Sequence, residues 1–271
     1  MAEPIYRRIA EDLRLRIESG VLAPGSKLPT EVALRDRYQV SRNTIRDALK
    51  WLLNRGLVEI RHGQGTFVAS NRQPFITTLS PDWRLGGHGP GGGEGAAARA
   101  EVAARHGTPR SSRPTVGVSR ATGTVAARLG LSAGASVVTR HQELFIDDHP
   151  WSLQTSHYPM RLVERGAIRL LDAADLDEGT LSYLEQALGL TQVGYTDQIL
   201  VRPPHEDEVR FFRGLADGRA PIAVLLRTGF TAGPDRPEPY RLTETRFPAE
   251  RTQFVIHEGQ VPELLAAAAE A

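Results

Sequence analysis

The chain has 271 residues, 40% hydrophobic and 24% charged, a globular composition with room for two ordinary domains, which argues against disorder of the whole chain. It contains no Cys, and this excludes a disulfide framework, a thiolate zinc site and a cysteine nucleophile. The net charge of +1 is unevenly spread, with a net of +5 over residues 1–72 and −4 over residues 73–271, as expected for a small polyanion-binding module joined to a body that does not bind DNA.

Met1 to Arg8 lead directly into a polar amphipathic stretch, and no run approaches the about eighteen apolar residues of a membrane span. A cytoplasmic protein without a membrane partner is expected. Ile5, Ile9, Leu13 and Ile17 recur at helical spacing between charged residues, Gly20 closes that helix, and Pro24-Gly25 turns the chain. Thr30 caps a short helix running to Tyr38. Only Gln39 and Val40 separate it from the next cap, Ser41, after which Ile45, Ala48, Leu49, Leu52 and Leu53 form one apolar face ending at Gly56. Leu57 to Ile60 alternates as a strand, Gly63-Gln64-Gly65 turns, and Thr66-Phe67-Val68 returns, which predicts a hairpin wing.

Residues 71–114 are rich in Gly, Ala and Pro and read as a partly disordered linker, with a transient helix over 96–104. An ordered α+β domain is predicted over 115–260, with 261–271 as a tail. Its strands fall near 116–118, 137–145, 151–158, 197–202, 221–231 and 238–247. Its helices fall at 122–129, 180–188 and about 205–216.

The second helix of a helix-turn-helix enters the major groove, and its first turn reaches base edges. Here that turn is Ser41-Arg42-Asn43-Thr44-Ile45-Arg46. Arg42, Asn43 and Arg46 share the face opposite Ile45; Arg pairs with guanine and Asn with adenine, so these three are the candidates for base readout. Ser41 and Thr44 are placed to bind phosphate or cap the helix. In the wing, His62, Gly63, Gln64, Gly65 and Thr66 can approach the minor groove or its phosphates, with Gly63 and Gly65 equally able to serve only the turn.

These segments, from Pro24-Gly25-Ser26-Lys27-Leu28-Pro29-Thr30-Glu31 through Val40 to Leu49, Gly56-Leu57-Val58 and Gly63 to Val68, resemble the GntR family signature over residues 4–69. The resemblance implies DNA contact through Ser41, Arg42, Thr44, Arg46, His62 and Gly63. The family usually carries Arg directly after the residue matching Glu31, where this chain has Val32; Arg35, a turn later, is the candidate replacement.

The C-terminal stretch lacks the Schiff-base Lys of an aminotransferase-like effector domain, since no Lys follows Lys50. Asp147-Asp148-His149-Pro150 before Thr155-Ser156-His157-Tyr158-Pro159, then Gly179 to Glu185, and Arg227 ahead of the strand from Pro237 to Arg246, resemble the HutC subfamily with its UTRA effector domain. That implies a chorismate-lyase-like antiparallel sheet with helices, dimerisation through the same domain, and a palindromic operator. It also implies an effector pocket from Arg140, Thr180 or Ser182, Arg227, Tyr240, Glu244 and Arg246. Arg140 and Arg246 could instead be cross-strand ion-pair partners and Thr180 a helix cap. Where relatives often carry a second Arg this chain has Gln142, which weakens the case for a phosphorylated sugar. His141, His149 and His157 match no metal-ligand spacing, and no metal or other cofactor is expected.

The sequence thus predicts a DNA-binding regulator, a repressor released from its operator by a small anionic or polar effector. A plasmid-transfer-type repressor with a mainly dimerising C-terminal domain is the alternative. An enzyme of lyase-like fold finds no support in any nucleophile–base constellation or phosphate loop.

Overall fold

The computed structural model describes residues 4–61, 63–69, 75–79, 103, 107–147, 149–212 and 220–256. Its packing divides the chain into two units, residues 1–74 with 204–220, and residues 75–203 with 221–271.

In the first unit, α1 (Ile5–Glu18) buries Ile9, Ala10, Leu13 and Ile17 on one stripe, as the apolar spacing requires. α2 (Glu31–Tyr38) begins at Thr30, whose Oγ1 accepts the Ala33 N–H at 3.2 Å. α2 ends at Gln39, a left-handed residue (φ 52°) that turns the chain into α3 (Arg42–Asn54). Ser41 caps α3, its Oγ accepting the Thr44 N–H at 3.2 Å. Each cap satisfies an amide that has no partner within its helix. Ser41→Ala is therefore expected to lower stability by about 1 kcal/mol, read as an earlier midpoint in denaturant unfolding of the first unit's helices.

β1 (Val58–Arg61) and β2 (Gly65–Val68) pair antiparallel from Val58↔Val68 to Arg61↔Gly65. Residues 25–28 run beside β2. The Gly25 amide donates to the Val68 carbonyl (3.0 Å), Val68 to Ser26 (2.8 Å) and Leu28 to Thr66 (2.8 Å). The Pro24-to-Leu28 segment, which reads as a simple turn, thus anchors the wing. Leu13, Leu34, Ile45, Leu52, Val58 and Val68 bring the three helices and the wing into one core. α7 (Glu206–Phe212) also belongs to this unit; the remainder of the helix expected to 216 lies outside the described residues.

The second unit contains, in chain order, β3 (Phe75–Leu79), β4 (Pro109–Ser111), β5 (Thr115–Arg120), α4 (Gly123–Leu129), β6 (Ser136–Ile146) and β7 (His149–Pro159). There follow α5 (Met160–Glu164), a 3-10 turn (Ile168–Leu171), α6 (Thr180–Leu188), β8 (Gln192–Arg202), β9 (Ile222–Thr231), β10 (Glu238–Pro248) and β11 (Thr252–Ile256). Among the described residues these build a seven-stranded sheet, ordered β4-β6-β7-β10-β9-β8 with β5 also on β6, and a separate β11-β3 pair. All pairings in the large sheet are antiparallel, whereas β3 and β11 run parallel.

One face of the large sheet packs Val138, Tyr158 and Tyr240 against Leu162, Leu170 and Leu184 of α5, the 3-10 turn and α6. The opposite face packs Val137 and Leu242 against Val125 and Leu129 of α4. β3 and β4 fall inside the 71–114 stretch expected as linker. Phe75-Ile76-Thr77-Thr78-Leu79 is β-prone, and pairing with β11 satisfies its backbone groups. α5, the 3-10 turn and β11 are too short for sequence periodicity to reveal. The expected helix over 96–104, Ala103 apart, and the tail 261–271 lie outside the described residues.

Candidate nucleic-acid interface and sensor site

The start of α3 presents Arg42, Asn43 and Arg46 to solvent, with Ile45 buried behind them. Ser41 and Thr44 are committed to the cap, their hydroxyls 2.8 Å apart. Glu31, at the first residue of α2, accepts from Arg42 Nε at 3.0 Å and Arg46 Nε at 3.4 Å. These contacts, the Arg42 hydrogen bond foremost, hold the Glu31 carboxyl below its ordinary range. One carboxylate thus sets the spacing of both guanidinium groups, a role that acid residues at a helix start do not reveal in sequence. Val32, next to Glu31, is exposed. Arg35, expected to replace the missing arginine there, pairs with its neighbour Asp36 at 2.6 Å.

In the wing, Gly63 (φ 72°) and Gly65 (φ 116°) occupy left-handed conformations that favour glycine. A Cβ at Gly65 would also lie 3.0 Å from Lys27 Cε. The Gln64 amide donates to the Arg61 carbonyl at 2.9 Å, closing the turn, and Gly63, Gln64 and Gly65 are exposed with Thr66 half-buried. The Arg61 guanidinium stacks over Phe67, 4.3 Å from the ring centroid. His62 lies outside the described residues.

In the second unit, strand register places Val116, Arg140, Ser156, Thr243, Arg227 and Asp197 in one row across the sheet. A second row on the same face joins Gln142, Gln154, Thr245 and Leu225. Both rows lie between the apolar cluster around Tyr158 and another containing Ile146, Trp151 and Phe247, which Leu225 at the end of the second row joins. The result is a buried polar belt. Arg140 is committed within it: Nη1 donates to the carbonyls of Leu170 (3.0 Å) and Asp172 (2.7 Å), and Nη2 to that of Ala174 (2.7 Å). Gln142 Nε2 holds the same loop, donating to Asp175 Oδ1 at 2.6 Å and to the Ser112 carbonyl at 3.1 Å. Arg227 forms a two-pronged pair with Asp197, both contacts 2.7 Å, and its guanidinium lies 4.2 Å from the Tyr195 ring centroid.

Tyr240 is buried, and its hydroxyl donates to Gln192 Oε1 at 2.7 Å; burial raises its pKa. Thr180 is buried and accepts from the Tyr158 hydroxyl at 3.4 Å, while Ser182 is half-buried on α6. Glu244 and Arg246 do not join this group. They alternate onto the opposite face, where they pair with each other at 3.4 Å, so the residues expected to form one pocket divide between two faces. The physical reason is strand parity: Thr243, not Glu244, stands opposite Arg227. On that second face His141 and His157 bond the cross-strand hydroxyls of Thr155 and Thr139, at 2.9 and 3.1 Å. Ser152, Gln154 and Thr245, which sequence reading did not single out, are buried in the belt.

A winged helix-turn-helix with exposed arginines at the start of α3, in one chain with an antiparallel sheet enclosing a polar belt, defines a DNA-binding regulator that carries its own sensor domain. Residues 5–68 match the family described as bacterial regulatory proteins, gntR family, and residues 104–253 match the UTRA domain. The chain belongs to the GntR family, with the GntR–UTRA architecture of the HutC subfamily. The mannosyl-D-glycerate transport/metabolism system repressor MngR of Escherichia coli K12 is 44% identical over 70 residues, 26% of this chain and 29% of that protein. That match therefore spans less than a third of the relative's length. HTH-type transcriptional regulator RB1450 of Rhizobium meliloti is 25% identical over 265 residues, covering 94% of this chain and 96% of that one. The crystal structure of PhnF from Mycobacterium smegmatis superposes with a TM-score of 0.54 at 21% identity, covering 93% of this chain and all of that one, and supports the fold.

Proposed function

We propose that this protein is a transcriptional repressor that binds a palindromic operator as a homodimer and leaves it when a small polar molecule occupies the UTRA domain. The observation that carries the reading is the exposed Arg42, Asn43 and Arg46 cluster at the start of α3, with its arginines held by Glu31. Gly63, Gln64, Gly65 and Thr66 supply the wing contact, joined by His62. The effector acts by binding one conformation of the dimer better than the other, and its differential affinity sets the response. The protein works by binding and not by turnover, in the compartment that holds the DNA. No helix among the described residues is long and apolar enough to cross a membrane.

Selecting bound sequences from a random DNA pool with the full chain, followed by mobility-shift titration, tests the first part. Two inverted half-sites spaced by whole helical turns are expected. A single asymmetric site would refute the dimeric reading.

β8 favours the second UTRA domain as dimer partner. It is the last strand of the sheet, its outer edge pairs with no other described strand, and Leu200 and Val201 on it are 42% and 65% exposed. Leu200→Lys combined with Val201→Lys is expected to shift the protein from dimer to monomer in sedimentation velocity and to abolish cooperative operator binding. An unchanged dimer would place the interface elsewhere.

A further inference from the structure

We infer that the sensor domain recognises a small neutral polyhydroxy compound, a sugar or polyol bearing neither phosphate nor carboxylate, through the belt residues Ser152, Gln154 and Thr245. The inference rests on reading this domain as an effector sensor and adds the chemical class.

The first support is hydrogen-bond accounting. Ser152 Oγ, Gln154 Oε1 and Thr245 Oγ1 are buried without a hydrogen-bond partner, and Arg140 Nε in the neighbouring row shares that state. Buried polar atoms left unmet are costly, so several in one place mark a surface built for a binding partner. They are close together. Gln154 and Thr245 face each other across β7 and β10, Ser152 is the next residue on the same face of β7, and Arg140, opposite Ser156, lies diagonally from Gln154. Cross-strand neighbours lie about 5 Å apart and alternate residues of a strand about 7 Å, within the span of one hexose-sized molecule.

The second support is the state of the charges. Arg140 has both terminal nitrogens on backbone carbonyls, and Arg227 has its fork on Asp197. Neither offers an open two-pronged face to an anion. Arg241, on the same face of β10, stands about 13 Å of strand away from Thr245, beside Tyr240 and not beside Gln154. Asp175, on the loop facing Gln142, adds negative charge next to the belt.

The third support is donor and acceptor type. The Gln154 carbonyl oxygen only accepts, Arg140 Nε–H only donates, and the hydroxyls of Ser152 and Thr245 do either. A ligand hydroxyl also does either, so adjacent hydroxyls meet the Ser152, Gln154 and Thr245 groups, and a further one on the Ser156 side meets Arg140 Nε. Phosphate and carboxylate oxygens accept only and leave the Gln154 oxygen unmet, and Arg140, whose terminal nitrogens are already on carbonyls, offers them a single Nε–H in place of a two-pronged grip.

Thermal unfolding of the full chain with probe compounds tests this. The probes are neutral hexoses, N-acetylhexosamines and alditols, set beside the 6-phosphate and uronic acid of each hexose. At least one neutral probe is expected to raise the unfolding temperature by several degrees. Thr245→Val and Gln154→Leu are expected to lose that shift, and Thr245→Val without probe to unfold at or above the temperature of the unaltered protein. Stabilisation by charged probes alone would overturn the neutral class while leaving the sensor reading intact. No shift with any probe would overturn both. A neutral shift that survives Thr245→Val, Gln154→Leu and Ser152→Ala, or a lowered unfolding temperature for probe-free Thr245→Val, would overturn the belt as the site.

Discussion

Replacing Arg42 or Arg46 with alanine is expected to weaken operator binding by about 1–3 kcal/mol, or about 5- to 150-fold, and to relax base preference at one position in each half-site. Both side chains are exposed at the start of α3, and neither contributes to the core around Ile45. The loss should therefore appear in DNA affinity and not in unfolding. Mobility-shift titrations on operator and on random DNA separate the possibilities. A uniform loss on both would assign the arginines to phosphate contact, and an unchanged operator affinity would remove them from the interface.

Glu31→Gln sharpens that test. The Glu31 carboxyl is held below its ordinary range by Arg42 first and Arg46 second, so it stays ionised through neutral and mildly acid pH and loses its grip only as pH falls through the lowered value. Removing its charge leaves the reading face one unit more positive. Affinity for random DNA is then expected to rise and its salt dependence to steepen by about one unit of slope, while operator preference falls. An unchanged ratio of operator to random binding would leave Glu31 without a role in positioning the arginines.

The helix-turn-helix was legible in sequence because its signals are local. The four-residue apolar spacing of α1, the Thr30 and Ser41 caps and the glycines of the wing each act within a few residues of chain. The sheet was legible in its strands but not in its faces. In β7, Trp151, Leu153, Thr155 and His157 alternate with Ser152, Gln154, Ser156 and Tyr158, and Trp151 and Leu153 make the first set the more apolar at its start. Ser152, Gln154 and Ser156 are in fact buried too, because β7 is an inner strand with packed elements on both sides. Alternation fixes a period of two and leaves open what covers each face. The resemblance to the UTRA domain implied one pocket for Arg227, Glu244 and Arg246, whereas the strand register sends the last two to the other side. The β3 and β11 pairing joins segments from far apart in the chain, and no local pattern encodes that partnership.

Asp197→Ala is expected to destabilise the UTRA domain by about 3–5 kcal/mol, the largest effect of any single change considered. The Arg227 and Asp197 side chains are 5% and 14% exposed, so water cannot take over for the missing carboxylate as it does at a surface pair. Arg227 is further confined by the Tyr195 ring on one side and by its place opposite Thr243 in the sheet. Asp197→Ala thus strands a charge; removing both partners does not. Asp197→Leu combined with Arg227→Leu is expected to recover most of the lost stability, since replacing a buried ion pair with apolar groups of similar size is often neutral or favourable. Two-step denaturant unfolding, with one probe in each unit, distinguishes this from a general loss, because the transition of the first unit should stay in place. If Asp197→Ala cost less than about 1 kcal/mol, the value of a surface pair, the Arg227 charge would not be stranded by the loss, and the pair would not be what holds this end of the belt together.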